Sequence, residues 1–297
     1  MSTPIEPVGP RAYADFALNN ARSPQEVNPD NPAWGPLGGI GLWIGSVALM
    51  VITQLVFLLP YIMRRGISPQ QMAEFASSDP TAVFLLVVSL IPAHLLTLGV
   101  AWLVVTRLGK RPFLASLGWA WDARFNLWRS AGLAVLLLVF GLSIIYLLGN
   151  VETPLDKMIQ SSRATAVVAA FLATFTAPLV EEIVYRGVLY SALRKFIGMT
   201  GAVVSVVLLF ALVHVPQYWP NYGVILTILI LSAVLTVIRA RTGKLLPCFI
   251  IHLVFNGIQS FFIVAGPYLE RFAPQAPQPP PPDPALFFPL LKFAGLL

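Results

Sequence analysis

Seven apolar runs, at roughly 41–63, 81–106, 129–148, 164–197, 201–217, 222–239 and 245–266, leave this chain few ways to fold. Each is long or apolar enough to cross about 30 Å of hydrocarbon as a helix rising ~1.5 Å per residue. The segments between them are short and carry no internal repeat. The expectation is an all-α polytopic membrane protein with about seven transmembrane helices in one domain, residues 41–266. Composition agrees: 57% of residues are hydrophobic, 11% are charged and the mean hydropathy is +0.77, whereas soluble domains are about one quarter charged. A net charge of +6 and a pI near 9.7 do not indicate nucleic acid, because the basic residues are dispersed between the runs rather than gathered into a stripe. One cysteine, Cys248, excludes an internal disulfide framework.

The dispersed cations set an orientation instead. Most of the 19 Lys and Arg residues fall on the side of the N-terminus. They include Arg107, Lys110, Arg111, Arg124 and Arg129 between the second and third runs, Arg194 and Lys195 after the fourth, and Arg239, Arg241 and Lys244 before the seventh. The positive-inside rule then places the N-terminus in the cytosol of a cell inner membrane or its equivalent. Residues 1–40 are polar and rich in Pro, Asn and Gly, and are expected to form a largely disordered cytosolic tail. No basic n-region precedes the first run, so that run is expected to direct insertion itself. Residues 267–297 read as a Pro-rich tail with a polyproline II spacer at 273–284. A 13-residue apolar segment, 285–297, follows and is too short for an ordinary span.

Ionisable residues inside such runs need a reason. Glu181, Glu182 and Arg186 follow directly on the apolar stretch 164–180, and each charge costs roughly 2.5–3.5 kcal/mol at the membrane centre on insertion scales. Glu182 and Arg186 stand at i,i+4 on one helix face and can pair. Glu181 lies about 100° further round and is left for chemistry. Two further runs carry polar residues: His214 ends the fifth, in Phe210-x-x-x-His214, and His252 and Asn256 share one face of the seventh. Counted from the expected cytosolic helix ends, Glu181 lies ~24 Å deep, His214 ~20 Å, His252 ~12 Å and Asn256 ~18 Å. Tilts of about 20° and a bend at Pro178 bring them into one layer. The expected site is therefore a buried polar cluster in the C-terminal half, opening toward the cytosol.

Taken together, Glu181-Glu182-x-x-x-Arg186, Phe210-x-x-x-His214 and His252-x-x-x-Asn256, in this order on successive helices, resemble the three motifs of the CPBP intramembrane proteases. That family (CAAX-processing and bacteriocin-processing, also called Abi) includes the type II CAAX prenyl endopeptidases. The resemblance covers about residues 160–265. It implies a helical core around a hydrolytic site in which Glu181 and His214 activate water while His252 and Asn256 stabilise the oxyanion. It also implies a membrane-associated substrate, either a small peptide or a lipidated protein of the prenylated CAAX type.

The residues support those roles on their own terms. Amide hydrolysis needs a base for water and hydrogen-bond donors for the tetrahedral oxyanion, and a water-poor site strengthens both. Glu182 and Arg186 read as structural support. The chain has no His-Glu-x-x-His, Gly-x-Gly-Asp or Gly-x-Ser-Gly motif, which removes the other intramembrane protease chemistries. No cofactor is required in the preferred reading. A divalent metal such as zinc, held by Glu181, His214 and His252, is the alternative. Cys248 reads as a small buried hydrophobe and His94 as a packing or cavity-wall group. Two non-protease readings stay open: a bacteriocin-immunity or regulatory protein of the same fold, and a proton-coupled transporter, since relays also concentrate Glu and His at mid-depth.

Overall fold

The computed structural model describes residues 27–269. The expectations for residues 1–26, for the Pro-rich spacer and for the 285–297 segment lie outside the described residues. Within 27–269 the chain is helical and has no strand among the described residues, apart from one isolated bridge between Asp122 and Phe125. The helices are α1 Pro36–Arg65, α2 Met72–Ser78, α3 Pro80–Val88, α4 Leu90–Thr106, α5 Phe113–Leu117, α6 Leu127–Leu148 and α7 Pro154–Gln160. A continuous stretch, Arg163–Tyr218, follows; α11 Tyr222–Thr242 and α12 Leu246–Leu269 complete the set.

Among the described residues, six helical stretches are long and apolar enough to cross a membrane, where the runs suggested about seven. The difference lies in Arg163–Tyr218, whose 56 residues would reach about 84 Å if straight, nearly three bilayer cores. It does not run straight. Gly198 adopts φ 74° and ψ 177°, a conformation essentially reserved for glycine, and the chain folds back there. His214 thereby comes within 3.9 Å of Glu181. The fourth and fifth expected spans are thus the two arms of one broken helix.

The first arm is itself irregular. It comprises α8 Arg163–Phe171, a π turn Leu172–Thr176, α9 Ala177–Glu181 and a second π segment Glu182–Leu189. Helix α10, Tyr190–Tyr218, carries the chain through Gly198 into the second arm. Widened π turns of this kind are frequent at functional sites.

The distribution of polarity is that of a protein in lipid. Glu182, Arg186 and Arg239 are fully buried at 0% exposure, while Leu136, Leu208 and Leu212 stand 64%, 57% and 61% exposed. In water so wide an apolar belt would aggregate; in a bilayer it faces lipid tails. Helix association there rests on close van der Waals packing rather than on the hydrophobic effect. Gly39 of α1 shows this: a Cβ built on it would lie 2.6 Å from Ala192 Cβ, so only glycine admits that approach.

One end of the bundle gathers the cationic loops. Asp30 pairs with Arg239 Nη1 at 2.9 Å and with Arg194 at 2.5 Å. Arg107 donates to Ala33 O, Arg124 to Arg241 O, and the Leu245 amide to Gly118 O. At the opposite end Asn221 Nδ2 donates to Asn150 Oδ1 and Val151 O. The basic segments grouped on the N-terminal side by their sequence order therefore do meet in space.

Residues 27–40 differ from the expected disordered tail. Helix α1 already begins at Pro36, and Trp34 is buried with its indole N–H on Val188 O at 3.0 Å. Burial alone would raise the Asp30 carboxyl, but the Arg239 charge and its contacts with Arg194 and Arg239 outweigh this and hold it below the usual carboxylate range. The Asp30 clasp accordingly stays ionised at neutral pH.

Candidate active site

Glu181 ends α9 and Glu182 opens the second π segment, so the adjacent carboxylates leave the helix in different directions. The Glu182 side chain is fully buried, whereas that of Glu181 is 23% exposed. Burial without compensation would be prohibitive for Glu182. Its Oε1 accepts from Arg186 Nη1 at 3.1 Å and from His252 Nδ1 at 2.9 Å. The first bond is the i,i+4 pair legible in the sequence. The second ties α12 to the site helix.

Arg186 has more donors than one carboxylate can satisfy. Its Nη2 donates to Ser232 Oγ at 2.8 Å and its Nε to Thr236 Oγ1 at 3.3 Å, both on α11. The guanidinium also lies 4.2 Å from the centre of the Phe210 ring, a cation–π contact out of water. Sequence reasoning missed Ser232 and Thr236. The signal available was a pair of hydroxyls at i,i+4 in an otherwise apolar run, opposite an arginine still short of acceptors.

The two motif histidines are held alike. His214 Nδ1 lies 2.7 Å from Phe210 O, and a carbonyl only accepts, so Nδ1 carries the proton. His252 Nδ1 faces the Glu182 carboxylate and carries its proton for the same reason. Both rings consequently turn Nε2 toward Glu181, His214 at 3.9 Å and His252 at 3.7 Å. These separations exceed a direct hydrogen bond and are of the size that a shared water spans. The Phe210 ring packs 4.6 Å from His214 and 6.0 Å from His252, measured between centroids, and so braces both imidazoles.

Asn256 sits one turn beyond His252, and its Nδ2 donates to Ala173 O of the first π turn at 2.9 Å. His94 of α4, only 8% exposed, places Nδ1 2.8 Å from Thr176 Oγ1 in the same turn. Cys248 is fully buried and donates to the backbone at Leu235 O, 3.3 Å away. Glu181, His214 and His252 thus converge and Glu182 and Arg186 lie behind them, while the Asn256 amide is held at the first π turn. A divalent ion would draw on Glu181, His214 and His252, but among the described residues no group of three or more His, Cys, Asp and Glu has metal-holding geometry.

Comparison with known proteins bears on the same stretch. No curated protein and no solved structure matches the chain. A family model described as type II CAAX prenyl endopeptidase Rce1-like matches residues 163–258, which run from the start of α8 to two residues past Asn256. The matched segment holds Glu181, Glu182, Arg186, His214, His252 and Asn256, so the Rce1-like type II CAAX prenyl endopeptidase model falls on the same stretch as the three motifs and is what this part of the chain is similar to.

Proposed function

We propose that the protein is an intramembrane endopeptidase that cleaves a peptide bond of a membrane-associated substrate, of the prenylated CAAX type or a small peptide. The observation that carries this reading is the convergence of both Nε2 atoms on Glu181. Glu181 and His214 present acceptors to one water, so that a proton leaves the water as its oxygen attacks the carbonyl. The same proton then passes from Glu181 to the departing amine. The oxyanion needs donors. Asn256 offers its second amide N–H, and His252 offers Nε2–H when the ring carries a proton on each nitrogen, a form whose charge Glu182 and Glu181 flank. Arg186 and Glu182 hold His252 in register without meeting the substrate.

The test uses the purified full chain in lipid vesicles with a farnesylated CAAX-type peptide, its unprenylated twin and an unrelated hydrophobic peptide. Release of a C-terminal fragment is the expected result, unaffected by chelators, since the preferred reading needs no metal. Stoichiometric zinc whose removal stops turnover and whose return restores it would replace water activation by Glu181 with the metal alternative. Failure to cleave all three peptides, with the protein folded, would favour the immunity, regulatory or transport readings.

The gathered cations support an orientation with that end in the cytosol, as the positive-inside rule reads them. Cys248 is buried, so single cysteines can be introduced for labelling. A membrane-impermeant thiol reagent added outside intact cells should label a cysteine at Glu152 and not one at Lys110. The reverse pattern would invert the topology and the cytosolic opening of the site.

A further inference from the structure

The first π turn has an uncommon balance of donors and acceptors, and Pro178 causes it. The Ala177 N–H bonds Leu172 O, five residues back, instead of Ala173 O, four back. In the same π register the donor for Ala173 O would come from residue 178, and proline has no N–H. The Ala173 carbonyl is thereby left without a partner in its own helix, at a depth where an unpaired carbonyl is costly. Asn256 Nδ2 fills the place at 2.9 Å. Because a carbonyl only accepts, this bond fixes which end of the Asn256 amide faces the turn and leaves one N–H directed elsewhere. The turn is also pinned from outside: His94 Nδ1 lies 2.8 Å from Thr176 Oγ1, which donates to Leu172 O at 3.3 Å.

The geometry points to Pro178 as a positioning residue for the proposed hydrolysis: by withholding one N–H it keeps the Ala173 carbonyl for Asn256 and so orients the oxyanion amide. Pro178 itself meets no substrate. The inference rests on the peptidase reading for its kinetic consequence and on geometry alone for the hydrogen bond. A backbone that supplied the missing donor would remain helical yet release Asn256.

Pro178→Ala restores an N–H that competes for Ala173 O. With the farnesylated peptide, kcat should fall by about 10²-fold, the scale of a misplaced catalytic group, while KM is unchanged. Pro178→Ala combined with Asn256→Ala should be no slower than Asn256→Ala alone, since both remove the same amide from its place. Wild-type kcat in Pro178→Ala, or independent losses that multiply in the double variant, would overturn the assignment. A second measurement needs no substrate. In bilayers, protein labelled with carbonyl ¹³C alanine and side-chain ¹⁵N asparagine should show a dipolar contact between Asn256 Nδ2 and the Ala173 carbonyl, identified by its loss in Asn256→Ala. The contact should vanish in Pro178→Ala. Should the wild type cleave no peptide, the peptidase reading fails by itself, and the dipolar contact alone decides the role of Pro178: its loss in Pro178→Ala upholds the inference and its persistence overturns it.

Discussion

Glu181→Gln is expected to lower turnover of a verified substrate by about 10²–10⁴-fold, the usual contribution of a positioned general base, with folding and membrane level intact. The two expectations separate because of where the side chain sits. Glu181 is partly exposed, and among the described residues its ion-pair candidates are imidazoles at 3.7 and 3.9 Å rather than an arginine. Gln keeps its volume and its capacity to accept a hydrogen bond but cannot take a proton from water. Thermal unfolding in detergent should match the wild type, and peptide release should all but disappear. Full turnover in this variant would end the catalytic assignment of Glu181.

Glu182→Gln should fail the other way, in stability first. Removing one member of a buried pair costs about 3–5 kcal/mol, because the remaining charge keeps its desolvation penalty. Arg186 would retain Ser232, Thr236 and the Phe210 ring, and hydrogen bonds between transmembrane helices average only ~0.6 kcal/mol each. The loss therefore outweighs what remains. Activity should fall as well, since His252 Nδ1 loses the anion that fixes its ring. A melting temperature and rate equal to the wild type would show that Glu182 neither balances Arg186 nor orients His252.

These variants also show what could be read from the residues alone. The helices were legible because each apolar run is long enough to span lipid. The pairings in the candidate site were legible because Glu182 with Arg186, Phe210 with His214, and His252 with Asn256 are each spaced by one turn, which puts each pair on one face. The second bond of Glu182 was not, since nothing near it in sequence specifies contact with residue 252. The π turns were hidden for a different reason: hydrophobic periodicity reports which face is apolar and is nearly blind to a carbonyl shifted by one partner. Pro178 announced a bend but not the Ala173 acceptor it creates. Residues 27–35 looked like tail by composition, and Asp30 acquires its place from arginines far along the chain, Arg194 and Arg239.

The fold-back at Gly198 bears on the order in which the charged helix becomes tolerable during synthesis. The two arms form a helical hairpin joined at a single residue, so the Phe210 ring reaches Arg186, and His214 reaches Glu181, as soon as the second arm is made. Glu182 and Arg186 already pair within one turn. Ser232, Thr236 and His252 arrive only with the last two helices. The most expensive residues in the chain are thus neutralised first by neighbours in sequence and afterwards by distant ones, which keeps the loops to be closed short while unpaired charge is in lipid.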